Sequence, residues 1–340
     1  MRHLITGAAG FLGFHLARKL LERGDEVVGI DSLNDYYDPR LKLARLRQLG
    51  VGSGALAEGA ETQSDSHPGF RFVRLSIEDR PGMEGLFGRH TFDTVCNLAA
   101  QAGVRYSLVN PRAYVSSNIV GFFTVLDCCR QSEVPHLVYA SSSSVYGSDS
   151  PQPSSTRDRA DHPLSMYAAT KRANELMAYA YSHLHGLPTT GLRFFTVYGP
   201  WGRPDMAYYR FTEAILASKD IEVYNNGDMR RDFTYVDDAV DGMIRVLGRL
   251  PAAPGPCSRI YNIGNSRPET LSDFIAALEQ ALHATARKRF LPMQPGDVPE
   301  TFADVTDLER EFGWKPTTDI REGLRKFAQW YLSYRATGGA

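Results

Sequence analysis

The N-terminal segment combines a short apolar run, a glycine-rich turn and a long amphipathic stretch. Residues 2–6 (Arg-His-Leu-Ile-Thr) precede Gly7-Ala-Ala-Gly10-Phe-Leu-Gly13, and helical spacing of apolar residues continues to Arg23. Three glycines at this spacing allow a tight turn, a close approach of the backbone to a pyrophosphate, and close packing of helix on strand. The free N–H groups at the helix N-terminus favour bound phosphate. The segment therefore predicts the first strand, loop and helix of a dinucleotide-binding α/β fold.

Asp31 separates this interpretation from an ordinary strand–turn–helix unit, with which the glycine spacing alone is also compatible. Asp31 ends the second apolar run, which covers residues 26–30. A carboxylate at that position accepts hydrogen bonds from the hydroxyls of an adenosine ribose and repels a 2′-phosphate. We therefore expect NAD rather than NADP as the cofactor. Its predicted contacts begin with Gly7, Gly10, Phe11, Leu12, Gly13 and Asp31.

Short apolar runs alternate with helical patterns along the first half of the chain. The strand-like runs cover residues 2–6, 26–30, 71–75, 93–98 and 136–141. The helical patterns between and after them include residues 11–23, 110–131 and 166–185. This alternation predicts a parallel sheet with helices on both faces, which is a Rossmann-type doubly wound α/β fold.

The second half of the chain mixes strand and helix patterns and predicts a smaller mixed α/β substrate lobe. We assign residues 1–188 to the NAD-binding domain, with residues around 189–197 and 234–263 returning to it. Residues 198–340 are assigned mainly to the smaller lobe, so the two parts are interleaved. Residues 50–69 are rich in Gly, Ala and Ser without a usable period. They predict a flexible surface insertion.

The overall composition limits the kinds of partner that this protein is expected to bind. The chain is 43% hydrophobic and 23% charged, with a formal net charge of −1, so no basic surface for nucleic acid or anionic lipid is expected. No apolar run reaches the length of about 18 residues that a membrane span needs. We expect a cytoplasmic protein without a signal peptide or a membrane anchor. The four cysteines lack the spacing of a metal or redox site, which indicates reduced thiols and no bound metal.

Two further motifs carry groups suited to proton transfer. Tyr167 and Lys171 are four residues apart at the start of a helical pattern, so they share one helical face. A phenol titrates near ~10, and a neighbouring ammonium together with a positively charged nicotinamide lowers its pKa. Residues 136–141 form a strand that ends in the serines 141–144. Hydroxyls at the carboxyl end of a parallel strand lie where ligands bind in open α/β sheets.

The motifs, taken in order, resemble the extended short-chain dehydrogenase/reductase family in its nucleotide-sugar branch. The matching segments are Gly7–Gly13, Asp31, Asn97–Gln101, Ser141–Gly147, Tyr167–Lys171, Arg193–Gly199 and Arg231–Val236. This resemblance implies that Tyr167, Lys171 and Ser142 are the catalytic residues. It also implies cofactor contacts at Asn34, Ile77, Ala99, Ala100, Gln101, Asn118, Tyr167, Lys171 and Val197. Among these, Asn118 is expected at the nicotinamide-side ribose.

The same resemblance implies the contacts of a UDP-sugar substrate. Tyr224 and Asn225 are expected beside the uracil, and Arg210 and Arg231 beside the two phosphates. Contacts to the sugar are expected nearer the catalytic residues. The full set of implied substrate contacts is Ser142, Ser143, Ser144, Thr196, Arg203, Arg210, Tyr224, Asn225, Arg231 and Asp297.

The segment 192–206 indicates which sugar this substrate carries. It carries a hydroxyl at Thr196 and a guanidinium at Arg203, which together suit an anionic, hydroxyl-rich ligand, and it resembles the corresponding segment of UDP-glucuronate 4-epimerases. Ser143 and Ser144 stand where the 4,6-dehydratases of this fold carry an Asp-Glu pair, which disfavours elimination of water. Ser143, Ser144 and Thr196 are suited to hydrogen-bond a carboxylate, and Arg203 to pair with it.

We therefore expect NAD-dependent, reversible C4 epimerisation of UDP-glucuronate to UDP-galacturonate through a 4-keto sugar. Tyr167 serves as base and acid, and NAD is retained and recycled. Two other enzymes share the fold, the catalytic residues and the cofactor, namely UDP-glucuronate decarboxylase and UDP-glucose 4-epimerase. A non-catalytic NAD-binding sensor or scaffold is the alternative outside enzymes.

The helical patterns 110–131 and 166–185 carry more apolar residues than one sheet-facing side needs. The resemblance implies that they pair across a two-fold axis in a homodimer, and ordinary sheet-facing core is the alternative. The residues concerned are Phe122, Phe123, Val125, Leu126, Leu176, Met177 and Tyr181.

Overall fold

A computed structural model of the protein describes residues 1–52, 54, 56–251, 257–294 and 296–338. Its strands are β1 (Arg2–Thr6), β2 (Glu26–Asp31), β3 (Glu61–Gln63), β4 (Phe70–Arg74), β5 (Thr94–Asn97), β6 (Leu137–Ser142), β7 (Thr189–Phe194), β8 (Thr196–Tyr198), β9 (Asp220–Val223), β10 (Arg230–Tyr235), β11 (Ser258–Ile263), β12 (Pro268–Thr270) and β13 (Arg287–Phe290).

Helices connect and flank these strands. The α-helices are α1 (Phe11–Glu22), α2 (Pro39–Gln48), α3 (Arg80–Arg89), α4 (Tyr106–Val109), α5 (Pro111–Tyr114), α6 (Phe122–Gln131), α7 (Met166–His185), α8 (Ala207–Leu216), α9 (Val236–Leu247), α10 (Leu271–Leu282), α11 (Thr306–Phe312) and α12 (Ile320–Ala336). A π-helical segment, Val115–Gly121, joins α5 to α6, and short 3₁₀ turns cover Ser143–Tyr146 and Tyr224–Gly227.

The main sheet has eight strands in the order β11-β7-β6-β5-β1-β2-β4-β3. Neighbouring strands are parallel except β3, which pairs antiparallel with β4 at one edge. Leu4 and Ile5 of β1 are fully buried, as expected of a central strand covered on both faces. From β1 the chain first adds strands on one side and then returns to add β5 on the other. The crevice outside the carboxyl ends of these strands is where ligands bind in such sheets. The predicted doubly wound α/β fold is confirmed.

The chain leaves the main sheet at Phe195. Residues 189–197 were expected to return together to the NAD-binding domain, but β7 ends at Phe194 and Phe195 donates its N–H to the carbonyl of Ile263 (2.9 Å). The next residue, Thr196, opens β8 in a separate sheet with the order β12-β10-β8. This change of sheet carries Thr196 across the carboxyl end of the main sheet. The domain boundary at residue 188 stays a prediction.

The segment 50–69 contains a short strand that the sequence did not predict. Residues Glu61–Gln63 pair antiparallel with strand β4 and form the edge of the main sheet. Residues 53 and 55 of this segment lie outside the described residues, and its flexibility stays a prediction.

Cys96, Cys128 and Cys129 are buried in apolar surroundings. Burial raises the pKa of the Cys128 thiol to about 11, and it also raises the pKa of Cys96 and of Cys129. These thiols therefore stay protonated at neutral pH. None of the described helices is both long enough and apolar enough to cross a membrane.

Candidate active site

A cavity of about 410 Å³ lies at the carboxyl ends of the central strands. It extends from the glycine loop after β1 to the segment after β8. The predicted site residues that line it are Gly7, Gly10, Phe11, Leu12, Gly13, Asp31, Asn34, Ile77, Ala99, Ala100, Gln101, Ser142, Ser143, Ser144, Tyr167, Lys171, Thr196, Val197 and Arg203.

The glycine loop is packed so tightly that side chains are excluded from it. Gly7 has φ +72°, in the left-handed region that favours glycine. A Cβ added to Gly13 would lie 2.1 Å from the carbonyl oxygen of Gly7, and one added to Gly10 would lie 2.9 Å from it. The loop therefore presents bare backbone and the N-terminus of α1 to the cavity, as an anionic diphosphate requires.

Arg45 of α2 holds this loop from behind, a role that the sequence did not predict. Its side chain is fully buried and donates to the carbonyl oxygens of Ala9 (2.9 Å) and Trp201 (2.7 Å). Arg45 therefore ties the glycine loop to the turn after β8. Nothing in the sequence distinguishes it from the surface arginines Arg40 and Arg47 in and around the same helix.

Asp31 lies at the carboxyl end of β2 with one carboxylate oxygen in use. Its Oδ1 accepts from the backbone N–H of Leu33 (2.8 Å), and Lys42 Nζ lies 3.5 Å away. Lys42 also donates to Asn34 Oδ1 (2.8 Å). Within the described part of the chain, Asp31 Oδ2 makes no hydrogen bond, so it is available to ribose hydroxyls. Sequence analysis missed Lys42, which lines the cavity between Asp31 and Asn34.

Tyr167 and Lys171 project from the first turns of α7 into the cavity. Ser165 caps this helix by accepting from the N–H of Ala168 (3.1 Å). Lys171 Nζ donates to the carbonyl oxygen of Ala140 on β6 (2.8 Å), which fixes the ammonium beside the serine strand. The ring of Tyr114 packs edge-on against that of Tyr167, with centroids 6.0 Å apart. The predicted pair is therefore brought together with the end of β6.

The protonation of this pair is governed by burial. Burial lowers the pKa of the Lys171 ammonium from its ordinary value of 10.5 to about 8. Burial also raises the pKa of the Tyr167 phenol, and a hydrogen bond with Ser142 and the charge of Arg203 offset only part of that rise. The protein environment alone favours the neutral phenol, and the lowered pKa predicted for Tyr167 in the presence of a positively charged nicotinamide stays a prediction. Lowering that pKa requires a further positive charge in the cavity.

A buried ion pair locks α7 against the serine strand. Glu175 accepts from both Nε and Nη2 of Arg193 on β7 (2.8 Å each) and from the hydroxyl of Ser141 (2.6 Å). The side chains of Glu175 and Arg193 are only 1% and 2% exposed. Because Ser141 precedes Ser142 and Glu175 follows Lys171 by one helical turn, this pair fixes the relative position of the residues predicted to be catalytic.

Hydroxyl groups and an arginine border the other end of the cavity. Ser142 Oγ accepts from the N–H of Ser144 (3.2 Å), which shapes the 3₁₀ turn after β6. Thr196 stands opposite at the start of β8, and Arg203 follows in the loop before α8. A second cavity of about 60 Å³ shares Ser143 and Ser144 with the first and reaches the segment 296–301. The combined space suits an anionic, hydroxyl-rich ligand.

Asn118 lies behind the cavity wall rather than in it. Its side chain accepts from the N–H of Gln101 (2.8 Å) and donates to the carbonyl of Gln101 (3.0 Å) and to Thr170 Oγ1 (3.0 Å). It belongs to the π-helical segment, a distortion that is frequent at functional sites. The structure therefore gives Asn118 a role in holding Gln101, and its predicted ribose contact stays a prediction.

Five of the predicted substrate contacts lie outside the 410 Å³ cavity. They are Arg210, Tyr224, Asn225, Arg231 and Asp297. Asp297 pairs with Arg105 (3.0 Å), whose guanidinium lies over the ring of Tyr224 (4.5 Å to the centroid). We call this group, with the neighbouring Arg231, the outer cluster. Its proximity to the segment 296–301 places it next to the small cavity, and its contacts with a nucleotide stay predictions.

The other members of this region use their polar groups within the protein. Arg231 donates to the carbonyl oxygens of Val298 (2.7 Å) and Pro299 (2.9 Å). Arg210 Nη2 lies 3.9 Å from Glu222, which also accepts from the hydroxyl of Tyr224. Asn225 adopts a left-handed backbone (φ 52°) and donates to Asp228.

Comparisons with known proteins agree with this geometry. Residues 3–264 match the model of the NAD dependent epimerase/dehydratase family. The chain is 50% identical to "Protein CapI" of Staphylococcus aureus over 98% of its own length and 99% of that protein. It is 46% identical to "UDP-glucuronate 4-epimerase 4" of Arabidopsis thaliana, with 97% of this chain and 75% of that protein covered.

A solved structure shows the same fold over nearly the whole chain. It is the UDP-glucuronic acid 4-epimerase from Bacillus cereus in complex with UDP-glucuronic acid and NAD, with a TM-score of 0.86 and 31% identity. The alignment covers 98% of this chain and 99% of that one. The family match agrees with the glycine loop that follows β1. The chain belongs to the NAD dependent epimerase/dehydratase family.

Proposed function

We propose that the protein interconverts UDP-glucuronate and UDP-galacturonate by NAD-dependent epimerisation at C4. One observation carries the proposal: Tyr167, Lys171 and Ser142 share a cavity with the bare glycine loop at one end and with Thr196 and Arg203 at the other. The names of the relatives from Arabidopsis thaliana and Bacillus cereus support the same reaction.

The residues at the first end fit NAD. The Cβ-free surface of Gly7, Gly10 and Gly13 accommodates a pyrophosphate, and the open oxygen of Asp31 accommodates ribose hydroxyls. The chemistry that NAD supplies when bound is the uptake of a hydride from C4 of the sugar and its return to the opposite face. The positive charge of the oxidised nicotinamide is also the further charge that the Tyr167 phenol needs to ionise.

Tyr167 takes the proton of the sugar 4-hydroxyl and later returns it. Ser142 hydrogen-bonds the phenol and orients it. Lys171, fixed by Ala140, favours the phenolate while it is itself protonated. Because the proton returns to the oxygen from which it was taken, the residues end each turnover as they began. The stereochemical change at C4 comes from rotation of the keto sugar between the two transfers.

The carboxylate of the sugar is assigned to Ser143, Ser144, Thr196 and Arg203. The 4-keto form of glucuronate is a β-keto acid. It loses carbon dioxide when the C–C bond to the carboxylate is parallel to the π orbitals of the ketone. Several hydrogen bonds that fix the carboxylate in another orientation prevent this loss. The arrangement therefore favours epimerisation over decarboxylation, and neutral hydroxyls replace the acid pair that elimination of water requires.

The decisive test is a proton NMR time course of the purified protein with UDP-glucuronate and no added cofactor. We expect the anomeric signal of UDP-galacturonate to grow to a constant ratio without release of carbon dioxide. Formation of a pentose or 4-keto-pentose nucleotide would identify a decarboxylase instead. Turnover of UDP-glucose but not of UDP-glucuronate would identify a UDP-glucose 4-epimerase, and no turnover of either with added NAD would favour a non-catalytic protein.

We also propose that α6 and α7 form a homodimer interface. Phe123, Leu176 and Leu184 are 42%, 56% and 69% exposed on these helices, although they are large and apolar. Three of the predicted interface residues, Phe122, Val125 and Leu126, are instead buried toward the sheet, which corrects that part of the prediction. Sedimentation of the purified protein at several concentrations tests the dimer.

A further inference from the structure

Arg203 is held by its near neighbour Asp205. Its Nε donates to Asp205 Oδ1 (2.9 Å) and its Nη2 donates to Asp205 Oδ2. The two side chains are 23% and 28% exposed, so the pair is partly shielded from water. In the part of the chain that the structure describes, Arg203 Nη1 has no hydrogen-bond partner. Arg203 lines the cavity, and its guanidinium, with one edge fixed by a carboxylate, keeps a free donor group.

Asp205 also accepts a hydrogen bond from a residue of the predicted NAD-binding domain, residues 1–188, which we call the cofactor half. The hydroxyl of Tyr36 donates to Asp205 Oδ2 (3.3 Å). Burial and the charge of Asp205 raise the pKa of Tyr36 to about 12, so this phenol is a neutral donor at neutral pH. Burial alone would raise the pKa of Asp205, but the charge and hydrogen bonds of Arg203 outweigh it and lower that pKa. Asp205 is therefore an anion that lies between a neutral hydroxyl, that of Tyr36, and a cation, the guanidinium of Arg203.

Tyr36 belongs to the segment that follows Asp31, and this segment is anchored at both ends. Asp31 accepts from Leu33, and Lys42 joins Asp31 to Asn34. The ring of Tyr36 packs against that of Tyr106 with centroids 5.0 Å apart. The segment therefore connects the carboxylate predicted to bind the adenosine ribose with the arginine predicted to bind the sugar carboxylate.

We propose that Asp205 and Tyr36 are positioning residues that orient Arg203 toward the carboxylate of the sugar and so set the preference for uronate substrates. This inference rests on the proposed function, in which Arg203 binds that carboxylate. It adds that the orientation of Arg203 is supplied by the cofactor half of the molecule through Tyr36. Neither residue touches the reacting atoms, so both act through Arg203.

The physical reason is the geometry that a carboxylate contact needs. A free arginine side chain samples many rotamers, and ordering it on binding reduces the affinity. Asp205 removes that cost by holding the guanidinium plane in advance, and Tyr36 fixes the Asp205 carboxylate. Loss of either contact lets the sugar carboxylate move, which weakens uronate binding and allows the C–C bond to align with the ketone.

The experiment compares two ligands that differ at the carboxylate, UDP-glucuronate and UDP-glucose. Their dissociation constants are measured by calorimetry with the NAD-containing protein and its variants Asp205→Asn and Tyr36→Phe. We expect the preference for UDP-glucuronate to fall about tenfold in Asp205→Asn, which loses a charge-assisted pair, and about threefold in Tyr36→Phe, which loses one hydrogen bond. UDP-glucose binding stays unchanged. The share of decarboxylated product from UDP-glucuronate rises in both variants.

Tyr106→Phe is the matched control, because its ring also packs on Tyr36 but its hydroxyl accepts from Asn110 rather than contacting Asp205. It should keep the wild-type preference and product. A preference that is unchanged or increased in both Asp205→Asn and Tyr36→Phe overturns the inference, and Tyr36→Phe alone decides if Asp205→Asn fails to fold. Arg203→Gln separates the two levels of the proposal. If it also keeps the preference, the assignment of Arg203 to the carboxylate is wrong; if it loses the preference while the other two keep it, only the positioning role is wrong.

Discussion

The cofactor half and the outer cluster of the molecule are built in different ways. At the glycine loop the chain offers backbone alone, and the space is so tight that a Cβ on Gly13 would meet a carbonyl oxygen at 2.1 Å. In the outer cluster, long side chains pair with each other, as Arg105 does with Asp297 at 3.0 Å, and the side chain of Arg105 is 41% exposed. The first region is fixed by the fold, and the second depends on contacts that water and salt also compete for.

This difference explains which predicted residues the structure gathers into one cavity. Every predicted contact on the glycine loop lines it, because loop and strand geometry decide their position. Arg210, Tyr224 and Asn225 do not, because flexible side chains on short elements decide theirs. A site built from backbone follows from sequence spacing, whereas a site built from long side chains depends on partners that are distant in sequence.

The largest expected effect tests the chemistry at the border of the two regions. Replacing Tyr167 with Phe removes the group to which we assign the proton of the 4-hydroxyl, so we expect kcat to fall by about 10²–10⁴-fold. Bound NAD and UDP-glucuronate affinity should stay close to wild type, because the ring and its contact with Tyr114 remain. NMR turnover, extracted NAD and calorimetry measure the three quantities. Activity near the wild-type level would contradict the assigned role.

The second prediction concerns NAD binding by the glycine loop alone. A Cβ on Gly13 would lie 2.1 Å from the carbonyl oxygen of Gly7, so Gly13→Ala forces the loop away from that carbonyl. A misplacement of about 1 Å at an active site lowers the reaction rate about 100-fold. We expect the purified variant to contain little NAD and to need added cofactor for any turnover. Gly88→Ala is the control, because a Cβ at that helical position meets no atom within 4 Å. A Gly13→Ala protein that retains NAD would show that the loop is less rigid than its packing indicates.

The third prediction concerns the buried charge of Lys171. Its pKa is lowered from 10.5 to about 8 in the folded protein. Below pH 8 the ammonium is charged in both folded and unfolded states, and its burial costs about 3 kcal/mol of stability at 1.36 kcal/mol per pKa unit. Between about pH 8 and pH 10.5 the folded protein releases the proton first, and the cost disappears.

Denaturant titration of Lys171→Met across this pH range measures its free energy of unfolding. The result tests the sign of the pH dependence of stability. We expect the variant to gain stability relative to wild type below pH 8 and to lose that advantage as the pH rises. Lys219→Met, at an exposed lysine, should show a constant difference. A constant difference for Lys171→Met as well would mean that water reaches the ammonium.

The sequence predicted the bounds of α7 to the residue because both of its ends carry local signals. Ser165 caps α7, and Gly186 follows it with a left-handed backbone, so the bounds 166–185 depend on neighbouring residues only. The glycine loop and Asp31 were predictable for the same reason. Their roles follow from spacing along one strand–loop–helix unit.

The break at Phe195 could not be predicted, because the apolar run from Leu192 to Val197 contains no turn residue. The chain changes sheets there through a hydrogen bond to Ile263, which is 68 residues away in sequence. Tyr36 was missed as well, although it lies two residues after Asn34, a predicted cofactor contact. Its function depends on Asp205, and a contact at that separation has no signature in a single sequence.

The last prediction tests whether the outer cluster acts independently of the cofactor half. Arg231→Gln removes a cation that the resemblance assigns to the diphosphate, and loss of one charged hydrogen bond lowers UDP-glucuronate affinity by about tenfold. The NAD content should not change, because Arg231 bonds only to the segment 298–299 and to Arg230 within the described residues. Arg230→Gln, which alters an exposed neighbour, is the control.

Salt sharpens the same test, since exposed charges are screened beyond about 10 Å at 0.1 M ionic strength. Wild-type affinity for UDP-glucuronate should therefore fall as salt rises, and the fall should be smaller in Arg231→Gln, while the tightly enclosed NAD remains bound in both. Release of NAD from Arg231→Gln would contradict this, because it would mean that the outer cluster supports the glycine loop. The two regions would then be one cooperative site, and the difference in their construction would not be a difference in function.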